Sequence, residues 1–353
     1  MNGETTQFSS PDERRAILAL TTVADVGPVN HRKLSERFGS ASRALTESFP
    51  ATVVRAAYAR ADSLLVKGER AALQLTTIGD EAYPPQLQEL HDPPPVLWSR
   101  GDWSHLRPPI VSIVGTRRAT SYGLRVTREL ASALTRAGAC VVSGMALGID
   151  GCAHRAALDA GGSTVAVLGT GADIVYPHAH KALYREIIER GLILSELEPG
   201  DRADGGSFKR RNRIIAGLAR LTIVVEAPFS SGALNTAESA VNLGRELAAV
   251  PGPIDSPQSQ GTNDLIRECA HPVISIAEAL HLIGLSPPVR IEPELHGEEE
   301  ARIWVALEEA ATSLDELCAR SKLPVARCLT AVTGLEMRGV VECELTGAIR
   351  RRR

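Results

Sequence analysis

Residues 111–115 read Val-Ser-Ile-Val-Gly, an apolar run that ends in glycine. Five further apolar runs follow before residue 280, and segments with helical spacing of apolar residues separate them. These runs are ACVVSG (139–144), STVAVLG (163–169), LILSE (192–196), LTIVVEA (221–227) and ELAAVPG (246–252). Continuous Val/Ile/Leu strands that alternate with helices are typical of a parallel sheet covered on both faces. The sequence therefore predicts an α/β fold with a doubly wound, mostly parallel sheet.

The residues before this region predict a helical module and a connector. Residues 1–75 carry apolar residues at helical spacing, and Asp25-Val-Gly-Pro28 between two helices is typical of a helix-hairpin-helix or SAM-like module. Residues 76–110 are rich in proline, which disfavours long helices and central strands. We interpret them as an extended connector, so that the connector and the sheet domain together occupy 76–285.

The residues after the sheet domain predict a separate small domain. Residues 286–299 are rich in Pro and Glu and are interpreted as a linker. Residues 300–349 predict a helix, a second helix opened by the capping box Ser313-Leu-Asp-Glu316, a third helix after Pro324, and a hairpin. This order is typical of a winged helix. Arg327 is the one cation on the predicted third helix, so duplex reading and protein contact both stay open, and residues 350–353 form a basic tail.

Composition limits the class of protein. The 353 residues are 44% hydrophobic and 23% charged, which is ordinary for globular domains. No apolar run is long enough to span a bilayer, and the N-terminal residues lack a signal-peptide core. Six scattered cysteines form no C-x-x-C pair. We therefore predict a cytoplasmic protein without a membrane segment, disulfide framework, metal or cofactor.

Charge is distributed unevenly along the chain. The net charge is −3, yet residues 202–220 hold six Lys or Arg against one Asp, and residues 111–130 hold four Arg against one Glu. Local basic patches can bind polyanions whatever the overall charge. A solvated basic surface is the alternative interpretation.

Glycine and small polar residues follow several predicted strands, at the edge where open α/β sheets bind ligands. Gly115-Thr116-Arg117 precedes a helix that starts near Gly123, so free amides and the Arg117 guanidinium could bind phosphate. Ser143 and Gly144 end the second strand, and Gly169 ends the third. Asp150 is expected to cap the helix that carries His154. The chain has no G-x-S-x-G, no completed G-x-G-x-x-G and no P-loop, so no catalytic residue is predicted.

The segment Phe208-Lys-Arg-Arg-Asn-Arg213 is the strongest functional signal. An aromatic ring beside clustered cations suits a single-stranded nucleic acid, whose unpaired bases can stack while the cations contact phosphates. We expect this segment to be an exposed loop, so that charge reversal at Lys209 and Arg211 would leave the sheet folded. The alternative is a surface loop whose Phe208 packs inward. Ser231 opens another helix and could hold a phosphate or cap that helix.

Taken in order, the motifs between Tyr83 and Ala270 resemble those of the DNA-processing protein A (DprA/Smf) family. The matching segments are Val114–Arg117, Ser143–Asp150, Tyr176-Pro177, Ser195-Glu196, Phe208–Gly217, Ser231–Ala237, Val250–Gly252 and Gly261–Ile266. The resemblance implies a Rossmann-like domain in a cytoplasmic bacterial protein that binds single-stranded DNA and catalyses no reaction. It further implies protection of DNA in natural transformation, loading of the RecA recombinase, and a homodimer joined through the Rossmann-like domain.

The resemblance also implies a DNA-binding pocket. Its basic and amide residues would be Arg117, Lys209, Arg211, Asn212 and Arg213, with Phe208 as the stacking residue. Its remaining wall would be formed by Gly115, Thr116, Ser143, Gly144, Gly169 and Ser231. Two positions depart from the family pattern. Leu147 stands where many members carry a cation, and Lys209 stands where proline is frequent.

Two other functions stay open at this point. A nucleotide phosphoribohydrolase of the lysine-decarboxylase-like kind would use a glutamate at a place comparable to Glu238, although the glycine-rich half of that motif is missing. A transcription regulator would read duplex DNA with the winged helix and sense a ligand with the α/β domain.

Overall fold

The computed structural model describes residues 10–286, 295–307, 312–343 and 347–351. The chain divides into two compact units, Met1–Pro288 and Val289–Arg353. The α-helices are α1 (Pro11–Thr21), α2 (Pro28–Phe38), α3 (Ala41–Ser48), α4 (Ala51–Arg70), α5 (Pro85–Gln88), α6 (Ser121–Arg136), α7 (Ile149–Asp159), α8 (Lys181–Arg190), α9 (Ser207–Leu218), α10 (Ala233–Asn242), α11 (Gln260–Arg267), α12 (Ile276–Leu282), α13 (Glu298–Ala306), α14 (Leu314–Ser321) and α15 (Val325–Met337). The strands are β1 (Gln74–Thr77), β2 (Val96–Gly101), β3 (Ile110–Val114), β4 (Cys140–Ser143), β5 (Thr164–Val167), β6 (Leu192–Ser195), β7 (Leu221–Val224), β8 (Glu246–Ala249), β9 (His271–Pro272), β10 (Thr312–Ser313), β11 (Val341–Cys343) and β12 (Ala348–Arg351).

The first unit is built on one sheet with the strand order β1-β2-β6-β5-β4-β3-β7-β8-β9. Every neighbouring pair from β6 to β9 is parallel, whereas β2 pairs antiparallel with both β1 and β6. The six predicted strands are β3 to β8, so the prediction of a doubly wound, mostly parallel sheet is confirmed. The strand order reverses between β3 and β7, and such a switch point opens a crevice beyond the carboxyl ends of the strands.

Helices cover both faces of the sheet and bury its strands. Every residue of β3, β4, β5, β6 and β7 is buried. One hydrophobic cluster joins the sheet to α6, α7 and α12, and another joins it to α5, α9 and α10. Because both faces are covered, the strands are continuously apolar and not alternating. Where polar side chains occur in these strands they are hydrogen-bonded, as when the Ser112 hydroxyl of β3 donates to the Thr222 hydroxyl of β7 at 2.8 Å.

The segment 76–110 is more regular than the predicted connector. Its residues Val96–Gly101 form β2, and the first four of them are buried between β1 and β6. The interpretation as an extended connector is therefore wrong for β2. The three prolines at 93–95 come immediately before the strand, so the amides of β2 remain available for its ladder.

The helical residues of the first unit follow their sequence signals. The Ser10 hydroxyl accepts a hydrogen bond from the Glu13 amide and caps α1, and Gly27-Pro28 opens α2 as predicted. These helices share a hydrophobic cluster with Trp98 of β2, Leu158 of α7 and Ile187 of α8. The helical residues and the sheet therefore share one continuous core.

The second unit has the predicted winged-helix order, which is confirmed. The Ser313 hydroxyl accepts a 3.3 Å hydrogen bond from the Glu316 amide at the start of α14, and α15 begins directly after Pro324. Strands β10, β12 and β11 form its sheet in that order. The predicted basic tail is corrected, because Arg350 and Arg351 belong to β12, where Arg350 pairs with Glu342. Arg352, Arg353 and the linker residues 287–294 lie outside the described residues.

Among the helices described, none is long and apolar enough to cross a membrane.

Candidate nucleic-acid-binding site

Helix α9 carries the basic segment, which was predicted to be an exposed loop. That prediction is wrong, because Ser207–Leu218 is helical and begins at the carboxyl edge of the sheet, after β6. The Asp204 carboxylate accepts hydrogen bonds from the amides of Gly206 (2.7 Å) and Ser207 (2.6 Å) at this helix start. These amides hold the pKa of Asp204 below its usual value. The helical period therefore decides which basic side chains reach solvent.

Phe208 lies half-buried at the centre of an aromatic and cationic stack. The centroids of the Phe208 and Tyr176 rings are 5.3 Å apart. The Arg117 Cζ lies 5.2 Å from the Phe208 centroid, which is a cation–π contact. A Cβ on Gly169 would lie 2.6 Å from Phe208 Cδ1, so glycine is needed for this approach. Tyr176 remains 43% exposed. Tyr176 lies in the loop after β5, and its place in the Tyr176-Pro177 motif is the sequence signal that could have predicted it as a site residue.

Arg211 is buried beneath this stack and does not line an open surface. Its Nη1 donates a 2.7 Å hydrogen bond to the Gly144 carbonyl and another to the Val167 carbonyl, at the ends of β4 and β5. A Cβ on Gly144 would lie 2.5 Å from Arg211 Nη1. Burial lowers the pKa of Arg211 to about 10, and the Asp150 carboxylate opposes that shift. Arg211 therefore stays charged at neutral pH and fixes the floor of the site.

Asp150 supports the same floor and is not the predicted cap of α7. Gly148 is the N-cap residue, and Asp150 lies in the first turn, where its carboxylate accepts from the amides of Gly144 (3.2 Å) and Ala146 (3.4 Å). Burial raises the pKa of Asp150, while Arg211 and the backbone amides oppose the rise.

Ser143 and His154 make separate contacts near this floor. The Ser143 hydroxyl donates a 2.6 Å hydrogen bond to the Ile113 carbonyl. His154 Nδ1 lies 2.8 Å from the Thr164 hydroxyl. Ser143 and His154 therefore have different hydrogen-bond partners, both in the sheet, and no hydrogen bond joins the two side chains.

Asn212, Arg213 and Ser231 also make internal contacts. The Asn212 Nδ2 donates to the Gly232 carbonyl at 3.0 Å, which ties α9 to the loop before α10. Arg213 pairs with Asp92 and Glu196, each at 2.7 Å, and its side chain is 12% exposed. The Ser231 hydroxyl accepts a 3.3 Å hydrogen bond from the Ala233 amide. These contacts hold the three side chains in place, and the charge of Arg213 is paired with two carboxylates of the chain itself.

The start of α6 is occupied by a carboxylate from the chain itself. Glu226 follows β7, is 2% exposed, and accepts a 2.9 Å hydrogen bond from the Thr120 amide. Its backbone carbonyl accepts from the Thr116 amide at 2.7 Å. A Cβ on Gly115 would lie 2.6 Å from Ile149 Cγ1, so the turn is tightly packed. The predicted phosphate position at the first turn of α6 is therefore corrected, because an internal anion holds it.

Arg117 of the stack is exposed, and so are Arg118 and Lys209, which directly follow Arg117 and Phe208 in the sequence. In the described part of the chain none of them forms an ion pair, whereas the adjacent Arg210 pairs with Asp204 at 3.2 Å. The site thus offers free positive charge beside two aromatic rings, one of them well exposed. The chain therefore belongs to the class of proteins that combine a doubly wound α/β domain with a winged helix.

The comparison with known families agrees with this class. Residues 74–284 match the sequence model of the DNA recombination-mediator protein A family, and residues 286–347 match that of the DprA winged helix domain. The chain belongs to the DNA recombination-mediator protein A family, and the resemblance derived from its motifs is confirmed.

Individual relatives cover most of the chain. A protein called Smf from Synechocystis is 32% identical over 93% of this chain and 96% of its own length. A putative DNA processing protein DprA from Mycobacterium tuberculosis is 41% identical over 71% of this chain and 67% of its own. The crystal structure of DprA from Streptococcus pneumoniae superposes with a TM-score of 0.69 at 34% identity, covering 76% of this chain and 97% of that one.

A second solved structure concerns DNA directly. It describes the single-stranded DNA binding mode of DNA processing protein A from Helicobacter pylori. It superposes with a TM-score of 0.54 at 35% identity, covering 58% of this chain and 94% of that one.

Proposed function

We propose that this chain binds single-stranded DNA, without sequence preference, at the stack of Arg117, Phe208 and Tyr176. The single observation that carries the proposal is this stack, in which the Phe208 ring contacts the exposed Tyr176 ring and the unpaired Arg117 guanidinium at the carboxyl edge of the sheet. The described binding of single-stranded DNA by the Helicobacter pylori relative supports it.

The aromatic and the cationic side chains of the site would contact different parts of the DNA strand. An unpaired base stacks against Tyr176 or Phe208, and such a contact contributes about 1–3 kcal/mol per base in proteins of this kind. Arg117 and Lys209 contact the flanking phosphates, which makes binding depend steeply on salt. Arg211 lies behind Gly144 and adds positive potential while it fixes the loops that carry the stack.

The family resemblance alone supports four further parts of the proposal. The chain would act in the cytoplasm as a homodimer, would load RecA onto the bound strand, and would catalyse no reaction. Glu238, the residue of the phosphoribohydrolase alternative, is exposed on α10 and has no described ion pair, so no observation favours that chemistry.

The test is a fluorescence-anisotropy titration of labelled oligo-dT and of a duplex of equal length at two salt concentrations. Wild type is compared with Arg117→Ala, Phe208→Ala and Lys209→Ala. The matched control is Arg220→Ala, because Arg220 is an exposed arginine at the amino end of β7, on the opposite edge of the sheet. We expect each site variant to lose affinity for oligo-dT and the control to match wild type. Equal affinity of wild type and all site variants would overturn the proposal.

RecA loading needs a separate measurement. RecA filament formation on a single strand coated with single-strand-binding protein is followed with and without the chain. We expect wild type to shorten the lag and Phe208→Ala to lose this effect. An unchanged lag with wild type would remove RecA loading from the proposal and leave DNA binding intact.

A further inference from the structure

We propose that the DNA track continues from the stack along the first turns of α6, where Tyr122 forms a second stacking platform beside Arg118 and Arg125. This inference deepens the proposed function and rests on it. Tyr122 is 37% exposed, and the Arg125 Cζ lies 5.6 Å from its ring centroid. The pair therefore repeats the chemistry of Arg117 and Phe208 at a second position.

The Tyr122 ring is fixed in place before any ligand arrives. Its hydroxyl donates a 2.9 Å hydrogen bond to the Pro251 carbonyl, in the loop after β8. An aromatic ring that is anchored at its polar end loses little conformational entropy when a base stacks on it. This anchoring distinguishes Tyr122 from an exposed aromatic side chain that merely covers the surface.

The backbone between the two platforms is rigid. The Arg118 amide donates to the Thr116 hydroxyl at 3.2 Å, and Glu226 holds the Thr120 amide at 2.9 Å. Arg117 and Tyr122 are therefore carried on one fixed turn that enters α6. A strand bound at Arg117 meets Arg118 next and then the Tyr122 ring.

The charges along α6 favour a polyanion. Arg118, Arg125 and Arg128 are exposed on this path, and Glu129 is the one acidic side chain between residues 117 and 136. Arg125 and Glu129 are 3.8 Å apart, and both are well exposed, so their pair is weak. Arg125 and Arg128 are three residues apart, so they are neighbours on one side of α6, which suits a DNA backbone that follows that side.

The length of the track can be estimated from the number of strands between its two ends. Tyr176 follows β5, Arg117 follows β3, and Pro251 follows β8. The strand order β5-β4-β3-β7-β8 separates the two ends by four steps of about 4.8 Å, or roughly 19 Å. Stacked nucleotides rise about 3.4 Å each, so two platforms together occupy more nucleotides than the stack alone.

The experiment is a length series of labelled oligo-dT, from four to twenty nucleotides, titrated against the full chain. We expect Tyr122→Ala to bind the shortest oligonucleotides like wild type and to bind the longer ones about 5- to 150-fold more weakly. Tyr122→Phe keeps the ring and is expected to retain most of the affinity. The double variant Arg118→Ala/Arg125→Ala is expected to lower the salt dependence with long oligonucleotides only, and Arg220→Ala to match wild type.

A second measurement does not depend on how a variant folds. Oligo-dT carrying one 5-iodouracil at successive positions is photocrosslinked to wild type, and the adduct is mapped by mass spectrometry. We expect crosslinks to Tyr122 from positions several nucleotides away from those that crosslink to Phe208 or Tyr176.

The outcomes separate this inference from the proposed function. If wild type binds oligo-dT and Phe208→Ala does not, while Tyr122→Ala matches wild type at every length and wild type forms no crosslink at Tyr122, the track is wrong and the proposed function stands. A uniform loss at every length in Tyr122→Ala also contradicts the track. If wild type binds no oligonucleotide at all, both the track and the proposed function are wrong.

Discussion

The buried carboxylate of Glu226 accepts a 2.9 Å hydrogen bond from the Thr120 amide and a second hydrogen bond from the Thr120 hydroxyl. Glu226 follows β7 and Thr120 caps α6, so the contact bridges the two strands between which the sheet order reverses. An anion at a helix N-terminus is stabilised by the helix dipole. The chain itself supplies that anion here, and the contact fixes the turn that presents Arg117.

The first prediction concerns Glu226→Gln. Glutamine keeps one acceptor for Thr120 but removes the charge at the start of α6. We expect the free energy of unfolding to fall by about 1–2 kcal/mol, measured by urea denaturation at pH 7. Glu238→Gln is the control, because Glu238 is exposed on α10, and it should stay within about 0.5 kcal/mol of wild type. An equal stability of both variants would contradict the role given to Glu226.

The second prediction concerns Gly144→Ala. The added Cβ would lie 2.5 Å from Arg211 Nη1, so the buried guanidinium must move. We expect a loss of about 1–3 kcal/mol in the free energy of unfolding and weaker binding of oligo-dT. Gly205→Ala serves as the comparison, because nothing lies within 4 Å of its added Cβ. A Gly144→Ala variant as stable as Gly205→Ala would show that Arg211 is not held by this packing.

The third prediction separates Lys209 from Arg211. Lys209 is exposed, so Lys209→Ala should leave stability within about 0.5 kcal/mol and reduce the slope of log affinity against log salt by about 0.7. Arg211→Ala leaves the buried carbonyls of Gly144 and Val167 without their donor, so we expect a loss of about 2–3 kcal/mol in the free energy of unfolding. Denaturation and anisotropy on both variants give the comparison. If Arg211→Ala were as stable as Lys209→Ala, the floor of the site would be misassigned.

The fourth prediction concerns pH. Burial lowers the pKa of His31 to about 4 and that of His154 to about 3, from an unfolded value near 6.5. The unfolded chain therefore binds more protons in this range. The stability gained by keeping each ring neutral is complete above pH 6.5 and is lost as the pH falls toward 4 or 3.

At pH 5 each buried histidine should have lost about 2 kcal/mol of its contribution. Urea denaturation at pH 7 and pH 5 measures the loss. In His31→Gln, glutamine can still donate to the Ile17 carbonyl, which lies 3.3 Å from His31 Nε2. This variant should lose about half of the pH dependence that arises from the two rings, whereas His178→Gln, at an exposed position, should retain all of it.

The fifth prediction tests the regulator alternative. Arg327 on α15 pairs with Glu299 at 2.9 Å, and Val325 and Leu329 are exposed beside it. A helix face of this kind offers little to base edges or phosphates. We expect Arg327→Ala to change duplex affinity less than twofold in the full chain. A large or sequence-dependent loss would restore duplex reading by the winged helix.

Local chemistry made much of the fold predictable. The apolar runs from Val111 to Gly252 became strands because parallel strands buried on both faces must be apolar throughout. The helix boundaries at Pro28, Ser313 and Pro324 follow from capping and from the fixed φ of proline. Strand β2 is hard to predict because the prolines at 93–95 disfavour a central strand, although the apolar residues Val96, Leu97 and Trp98 follow them directly.

The site was predicted as a set of residues but not as an arrangement. Phe208, Arg211, Asn212 and Ile215 have the spacing of one helix face, on which the last three are buried and Phe208 is half-buried. This spacing was a usable signal for the burial of Arg211. The pairing of Arg213 with Asp92 and Glu196 had no comparable signal, because its partners come from distant segments that only the fold brings together.

The antiparallel strands β1 and β2 have a consequence for how this chain can be divided. Gly68 of α4 lies so close to the Trp98 ring of β2 that an added Cβ would be 2.4 Å from it, and β1 begins only four residues after α4 ends. A fragment that starts at residue 76, where the sequence suggests a boundary, would lose half of β1 and uncover the edge of β2. Uncovered hydrophobic edges recruit strands from other molecules. Such a fragment would be an aggregation-prone reagent, and a soluble sheet domain requires the preceding helices to be kept.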